Sequence, residues 1–404
     1  MSSNSLHRSI SLLVSSRLAI IHSLIIPTPM KIISIFCSIT LLGFSIFVCQ
    51  QVRAGVVVKL ADTIDIGCHF GDVSADESLV ACGTINTALK QSVFLLDAPT
   101  LKIISSTSFD ATYEGGFSRM IITPNKRGIL LGREFGASQP DMYWIPSKGT
   151  VKGLGLNKKI TQVKAINPNL STIYSVSHSL NAAENDTIEI WDKEGARSGV
   201  MASFISPPKG DKDRWGKEIF YELGKLDITK DGRFLVASAR AIYGIAGTAK
   251  SVPNKVYVWD AKSEKLVHII DNASTFSLSE DGKAIVTSHF YRDVERDELP
   301  ARTVKTWDLT TGRLTHEVRL PIDHKGIVRL AISSDKRFVA YGNSLLESST
   351  SGTQGMGLVD LQSGKEVLYQ ETSASFLAFI NKGRTLLVGD NKLSVFTIQD
   401  TSRK

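Results

Sequence analysis

The chain lacks the short spacings that carry most enzyme chemistry. It has no H-E-x-x-H, G-x-S-x-G or EF-hand loop, which would place a zinc pair, a nucleophile elbow or a calcium cage. Gly244–Ser251 (GIAGTAKS) is the nearest approach to a phosphate loop, but Ala249 stands where the glycine before the lysine is required. There are four cysteines and no C-x-x-C, so metal ribbons and dithiol redox motifs are excluded. Outside Arg214–Leu223, no segment keeps a helical period, which excludes a solenoid of helices.

Acidic residues are absent from the first 54 positions, where Arg8, Arg17, Lys31 and Arg53 are the only charges. Within them, Ile32–Cys49 is 18 residues without a charge, opened by Met30–Lys31. A basic start, an apolar run and small residues before a cut after Ala54 describe a secretory signal peptide, with Met30 as its initiator. The alternative is an uncleaved membrane anchor, since such a run spans a bilayer. The expectation is therefore a leader over 1–54, an exported protein in the periplasm or outside the cell, and membrane contact only through that segment. Without the leader's four basic residues the balance is 43 against 40, a net of +3, so the basic pI is largely the leader's. That removes the compositional support for a nucleic-acid partner.

Cys37 and Cys49 belong to the leader, leaving Cys68 and Cys82. Pairing strands about the Asp76–Glu77 turn sets Cys82 opposite Gly71. That is three residues from Cys68, or about 10 Å along a strand, and it predicts two separate thiols.

What is present is a repeat. Ile188–Gly195 (IEIWDKEG), Val256–Lys265 (VYVWDAKSEK) and Val304–Arg313 (VKTWDLTTGR) each end a β-type run in Trp–Asp and break into a turn. Weaker copies are Val93–Pro99, Met142–Gly149, Gly357–Lys365 and Leu393–Asp400, which makes seven. Leu96, Trp144, Trp191, Trp259, Trp307, Val359 and Phe396 are taken as equivalent. Each copy follows a hairpin whose turn is rich in Asp, Asn, Gly or Pro, such as Thr229–Gly232 and Ser279–Gly282. Four strands in about 45 residues indicate propeller blades.

Trp191-Asp192, Trp259-Asp260 and Trp307-Asp308, with the S-x-D-G-type turns, resemble the WD-repeat family over residues 55–400. The Gly-His pair of that family is missing, with His324 as its nearest relic, and the looser propellers of bacterial secreted proteins look closer. The resemblance implies an all-β, seven-bladed β-propeller in which 55–404 is one domain. It implies structural roles for the three Trp–Asp pairs, the aromatic buried between blades and the Asp starting a turn. It also implies that the unpartnered strand Val56–Leu60 completes the last blade and closes the ring.

In such a ring the turns within hairpins and after Trp–Asp share one face. The long insertions Arg133–Asp141, His178–Asp186, Ser206–Lys225, Ala239–Lys255, His289–Arg302 and Asn343–Gly355 all fall to the other, where function concentrates on loops. Candidate binding residues there are Arg214 and Trp215, on a short helix expected over Asp213–Leu223, with Arg240, Tyr243, Tyr291 and Arg292. His178, His289 and His324 are weak metal candidates at upper strand ends. No catalytic residue and no cofactor is assigned. The sequence thus predicts an exported, non-enzymatic protein-binding or scaffold module. The alternative is a propeller enzyme, a lactonase-like hydrolase or an oxidoreductase, with its site at the axial mouth.

Overall fold

The computed structural model describes residues 52–53, 55–85, 90–110, 117–123, 126, 128–133, 142–146, 152–154, 163–169, 171–177, 187–192, 196–201, 219–243, 254–288, 303–320, 327–343 and 355–401. All fall within the unit Val48–Lys404. They are strands and turns, and no helix among them is long and apolar enough to cross a membrane.

Seven antiparallel sheets follow one another as blades of a propeller. Blades 1 to 6 are four-stranded meanders in chain order. Their first strands are Phe70–Val73, Phe117–Ile122, Val163–Ile166, Ile219–Ile228, Thr275–Leu278 and Ile327–Ile332. Blade 7 contributes Phe376–Ile380, Thr385–Gly389 and Leu393–Asp400. Its outer strand is Val56–Ile64, which pairs from Val56↔Asp400 to Ile64↔Leu393 and closes the ring. The closing strand runs beyond Leu60, and a two-residue strand, Val52–Arg53, pairs outside it.

The core is a set of layers between blades, and the period of two along each strand builds it. In the third strand of blade 4, Tyr257 and Trp259 pack toward blade 3 with Tyr174, Ile188 and Met201. Val256 and Val258 of the same strand pack toward blade 5 with Phe276 and Ile285. Both faces are buried, so these strands read as continuous apolar runs. Similar layers join blades 1 and 2, 5 and 6, 6 and 7, and 7 and 1.

Hairpin turns repeat one device. Ser74, Thr229, Ser279 and Ser333 each donate a hydroxyl to the carboxylate two residues on, at 2.6–2.8 Å. The same oxygens accept the backbone N–H of Leu79, Phe234, Ala284 and Phe338 at 2.9 Å. The fourth turn residue has a positive φ and stitches blades together. At Gly282 (φ 65°) a side chain would stand 3.1 Å from Asp231 of the preceding blade. Where that residue is Lys126 or Lys336, it reaches back to Asp76 or Asp281 as an ion pair.

Three expectations are corrected. First, the residue equivalent to Leu96 in blade 2 is Ile145, not Trp144. Ile145 pairs with Ile129 as Leu96 pairs with Val80, and Trp144 lies one place away in the register. Second, Ile219–Leu223 is not helical. It belongs to a ten-residue strand paired with Phe234–Tyr243, because Ile219–Phe220–Tyr221 meets Ala241–Ile242–Tyr243 in register. Third, Cys68 and Cys82 form a disulfide, with Cα atoms 4.9 Å apart. Gly71 does face Cys82, but the strand begins only at Phe70. Gly67–His69 folds back, with the Cys68 N–H bonded to the Asp390 carbonyl at 2.7 Å. Glycine is needed at 389, since a Cβ there would collide with Cys68.

This disulfide closes a 14-residue separation where the closing strand passes into blade 1. Cys82→Ala combined with Cys68→Ala is expected to cost about 3 kcal/mol from loop entropy. Equilibrium urea unfolding of oxidised and variant protein measures this; equal midpoints would show that the bridge leaves stability unchanged.

Candidate functional site

The first strands surround a central cavity of about 850 Å³, to which all seven blades contribute lining residues. Its lower end, beside the hairpin turns, holds the densest charge. Lys230, from the turn of blade 4, crosses to blade 1 and donates to the Val73 carbonyl at 3.1 Å and to Asp72 Oδ1 at 3.2 Å. Asp72 is fixed from the other side, its Oδ2 accepting the Ile122 N–H of blade 2 at 2.8 Å. One lysine thus ties together blades on opposite sides of the axis.

Burial pulls the Lys230 ammonium toward deprotonation, but Asp72, Glu280 and Asp227 outweigh it and hold its pKa above the ordinary value. Glu280, from the turn of blade 5, behaves in the opposite way. Its Oε2 is buried and has no hydrogen-bond partner among the described residues. Desolvation pushes its pKa up to about 7, opposed by Lys230 and reinforced by Asp72, Glu77 and Asp227. The folded pKa lies above the value of 4.5, so the folded state holds a proton that the unfolded chain has lost. The folded state therefore loses stability as pH rises from about 4.5 to about 7. Glu280→Gln is expected to stabilise the protein above pH 7 by up to about 3 kcal/mol and to flatten that slope. Urea midpoints measured at acidic and neutral pH decide it; an unchanged slope would remove Glu280 as its source.

Higher in the cavity are Lys225 and Arg329. Lys225 Nζ donates to the Phe276 carbonyl at 3.0 Å and sits 4.9 Å from the Phe276 ring centroid. Arg329 Nε donates to the Ser375 carbonyl at 3.0 Å. Each cation reaches from its own blade to the next, Lys225 to the strand Thr275–Leu278 and Arg329 to the residue just before Phe376–Ile380.

The sequence candidates fall elsewhere. Arg240 and Tyr243 lie in the strand Phe234–Tyr243, not in a loop, opposite Glu222 and Ile219. Arg214, Trp215, Tyr291, Arg292, His178, His289 and His324 lie outside the described residues. Among the described residues no group of three or more His, Cys, Asp or Glu is placed to hold a metal. Trp191 and Trp307 are hydrogen-bonded through Nε1 to Ser175 and Thr287, both at 2.9 Å, and Trp259 is fully buried. Asp192, Asp260 and Asp308 accept backbone N–H groups of the following turns at 2.7–2.8 Å.

Sequence reasoning missed Asp72, Lys225, Lys230, Glu280 and Arg329. One signal for two of them was present. Lys230 and Glu280 occupy the same place in TKDG and SEDG, where blades 1 and 6 have Ala75 and Ser334.

No protein-family model matches the chain, and no curated protein matches it. Among solved structures it is similar to the β-propeller domain of Cps50 (Swd1) from Myceliophteria thermophila. That similarity has a TM-score of 0.54 at 12% identity and covers 84% of this chain and 99% of that one.

Proposed function

Taking a WD-repeat-like seven-bladed β-propeller as the premise, we propose that this chain is an exported, non-enzymatic protein-binding module. It presents the upper face of the ring to a protein partner. The observation that carries this reading is the asymmetry between the two faces. Turns on the lower face are tight and mutually stitched, and the lower end of the cavity is crossed by the Lys230–Asp72 pair. The longest interruptions of the described chain, at 202–218, 244–253, 289–302 and 344–354, all leave from the opposite strand ends. A rigid scaffold carrying long connections on one side is the usual arrangement for recognition. The Cys68–Cys82 disulfide supports export, since such bonds persist in oxidising compartments.

Replacing 206–218 and 289–302 by short Gly-Ser linkers tests the reading and spares the strand that begins at Ile219. The full chain is expected to retain a partner from an envelope fraction, and the linker variant to lose it while keeping its melting temperature. Retention by both would count against an upper-face site. Amino-terminal sequencing of the exported protein is expected to begin at Gly55; a start at or before Met30 would remove the leader reading.

A further inference from the structure

All seven exposed large apolar side chains among the described residues lie on outer strands of blades. Four of them stand on two adjoining blades, Leu266, Val267 and Ile269 in blade 4 and Leu314 in blade 5, each 39–44% exposed. Blade 5 lies against the outer strand of blade 4 here, since a side chain at Gly312 would stand 2.5 Å from His268 Nδ1, two residues before Leu314. That outer strand, Lys265–Asp271, has no Asp, Glu, Lys or Arg from Leu266 to Ile270. Outer strands elsewhere are guarded. Glu317 and Arg319 interrupt that of blade 5, Glu366 that of blade 6, and Lys59 and Asp62 the closing strand. Those of blades 2 and 3 are three and five residues long, and in blade 1 Ile103–Ile104 gives way to Ser-Ser-Thr-Ser. Charge and shortness are how sheet edges avoid unwanted pairing, and the edge of blade 4 has neither.

One bulge keeps this edge from being flat. The register slips between Val258 and Trp259, so Val267 has no residue opposite it. Blades 1, 3, 5 and 6 slip at the same place. A bulge interrupts the ladder, so a contact here is made by packed side chains and not by a continuous run of backbone bonds. The strip is about 20 Å long and ends in opposite charges, the exposed Lys265 and Asp271, whose side chain is 65% exposed. Reversed end for end, it complements itself. Across a two-fold axis each Lys265 meets the Asp271 of the other copy, and the apolar residues between them meet their counterparts. Such an isologous contact makes every favourable pair twice, whereas a parallel arrangement sets like charges together.

We propose that the outer edge of blade 4 is a homodimer interface, occupied by the same edge of a second copy of this chain in antiparallel orientation. Leu266, Val267 and Ile269 form its apolar centre, Leu314 flanks it, and the two Lys265–Asp271 pairs set its direction. The proposal goes beyond the upper-face reading and does not depend on it, since the rim and the upper face are different surfaces.

The test is sedimentation velocity of the full chain across a concentration series. A contact of this size belongs with weak, transient interfaces, so a monomer–dimer equilibrium is expected in the range of about 10–100 µM. V267E is expected to weaken it at least tenfold with melting temperature unchanged, because Val267 is already at the surface. K265D and D271K are each expected to weaken it, since each sets like charges together twice. Mixing those two variants is expected to restore dimers, because both pairs across the two-fold then join an Asp to a Lys. The same mixture carrying V267E in both copies is expected to stay apart. D271K also ends the 3.9 Å pair with Lys255, so the melting temperatures of both single variants are recorded alongside. Monomer at every concentration overturns the proposal, and so does association that V267E leaves undiminished. Weakened single variants that the mixture fails to restore overturn the second copy as occupant. Loss of a different envelope protein on V267E, from a chain that stays monomeric, gives the edge to a partner and likewise refutes the dimer. The upper-face reading is decided separately by the loop replacements, which leave the strand Lys265–Asp271 untouched.

Discussion

Val58→Asp is expected to destroy the folded propeller, while Leu60→Asp in the same strand is expected to be nearly silent. Val56, Val57 and Val58 are 0, 6 and 3% exposed. Val58 pairs with Ile398 and packs with Leu358, Val367 and Phe396 between blades 6 and 7. Burying a valine side chain contributes about 1.5–3 kcal/mol, and an unpaired carboxylate in its place adds several more. A domain's whole stability is about 5–15 kcal/mol, so one substitution removes much of it. Detaching the strand also uncovers the Leu393–Asp400 edge, a template for pairing with other chains. Leu60 is 42% exposed, and surface changes of that kind stay within about 0.5 kcal/mol. Size-exclusion chromatography and urea unfolding of the two variants decide the matter. A monomeric, cooperatively unfolding Val58→Asp protein would show that the ring holds without this strand.

The contrast between those two residues also marks what the sequence makes legible. Blade number, closure and turn positions could be read because each rests on local chemistry repeated seven times. Asp, Asn and Gly mark the turns, and an apolar run of about five residues marks each strand. The errors came where one residue was asked to stand for a three-dimensional position. Trp144 and Ile145 are adjacent in an apolar run, and strand pairing places Ile145 at the position equivalent to Leu96. A single-residue slip is invisible when both faces of a strand are apolar. Extending the strand in a straight line separates Cys68 from Cys82, and nothing local in Gly67–His69 announces the fold-back that bonds Cys68 to Asp390. In Arg214–Leu223 the apolar spacing fits a helix, whereas the partner strand Phe234–Tyr243 extends the sheet through its last five residues.

The cavity was illegible for a different reason. Each blade gives it only a few side chains, and their partners are remote in sequence. Lys230 and Asp72 are 158 residues apart. Composition and periodicity report on one strand at a time. The loops, by contrast, were visible as interruptions, which is why the sequence candidates concentrated there and not along the axis.

Arg337→Met is expected to be the most damaging single change on the rim of the ring. Arg337 lies where blade 6 meets the closing pair. Its Nε stands 3.2 Å from Asp360 Oδ1 and its Nη2 3.4 Å from Asp360 Oδ2. Nη1 pairs with Asp400 Oδ2, and the guanidinium lies over the Phe338 ring, 4.9 Å from its centroid. Burial opposes its charge, but the two carboxylates outweigh burial and raise its pKa. Asp360 is 2% exposed, and Asp400 ends the strand whose last residue pairs with Val56. Methionine keeps much of the stem volume and removes the cation, leaving a carboxylate sealed from water beside the Gln362 N–H, which donates to it at 3.1 Å. Breaking a buried pair from one side costs about 3–5 kcal/mol, far more than the pair itself contributes. The decisive measurement is therefore a double-mutant cycle. Asp360→Asn alone is expected to be mild, and Arg337→Met with Asp360→Asn is expected to recover at least half of the loss, a coupling above about 1.5 kcal/mol. Arg337→Lys should fall between, since one ammonium cannot hold two carboxylates in the geometry of a planar fork. Additive effects across the cycle would mean that Arg337 acts by packing on Phe338. The joint between blade 6 and the closing strand would then rest on the apolar layer alone.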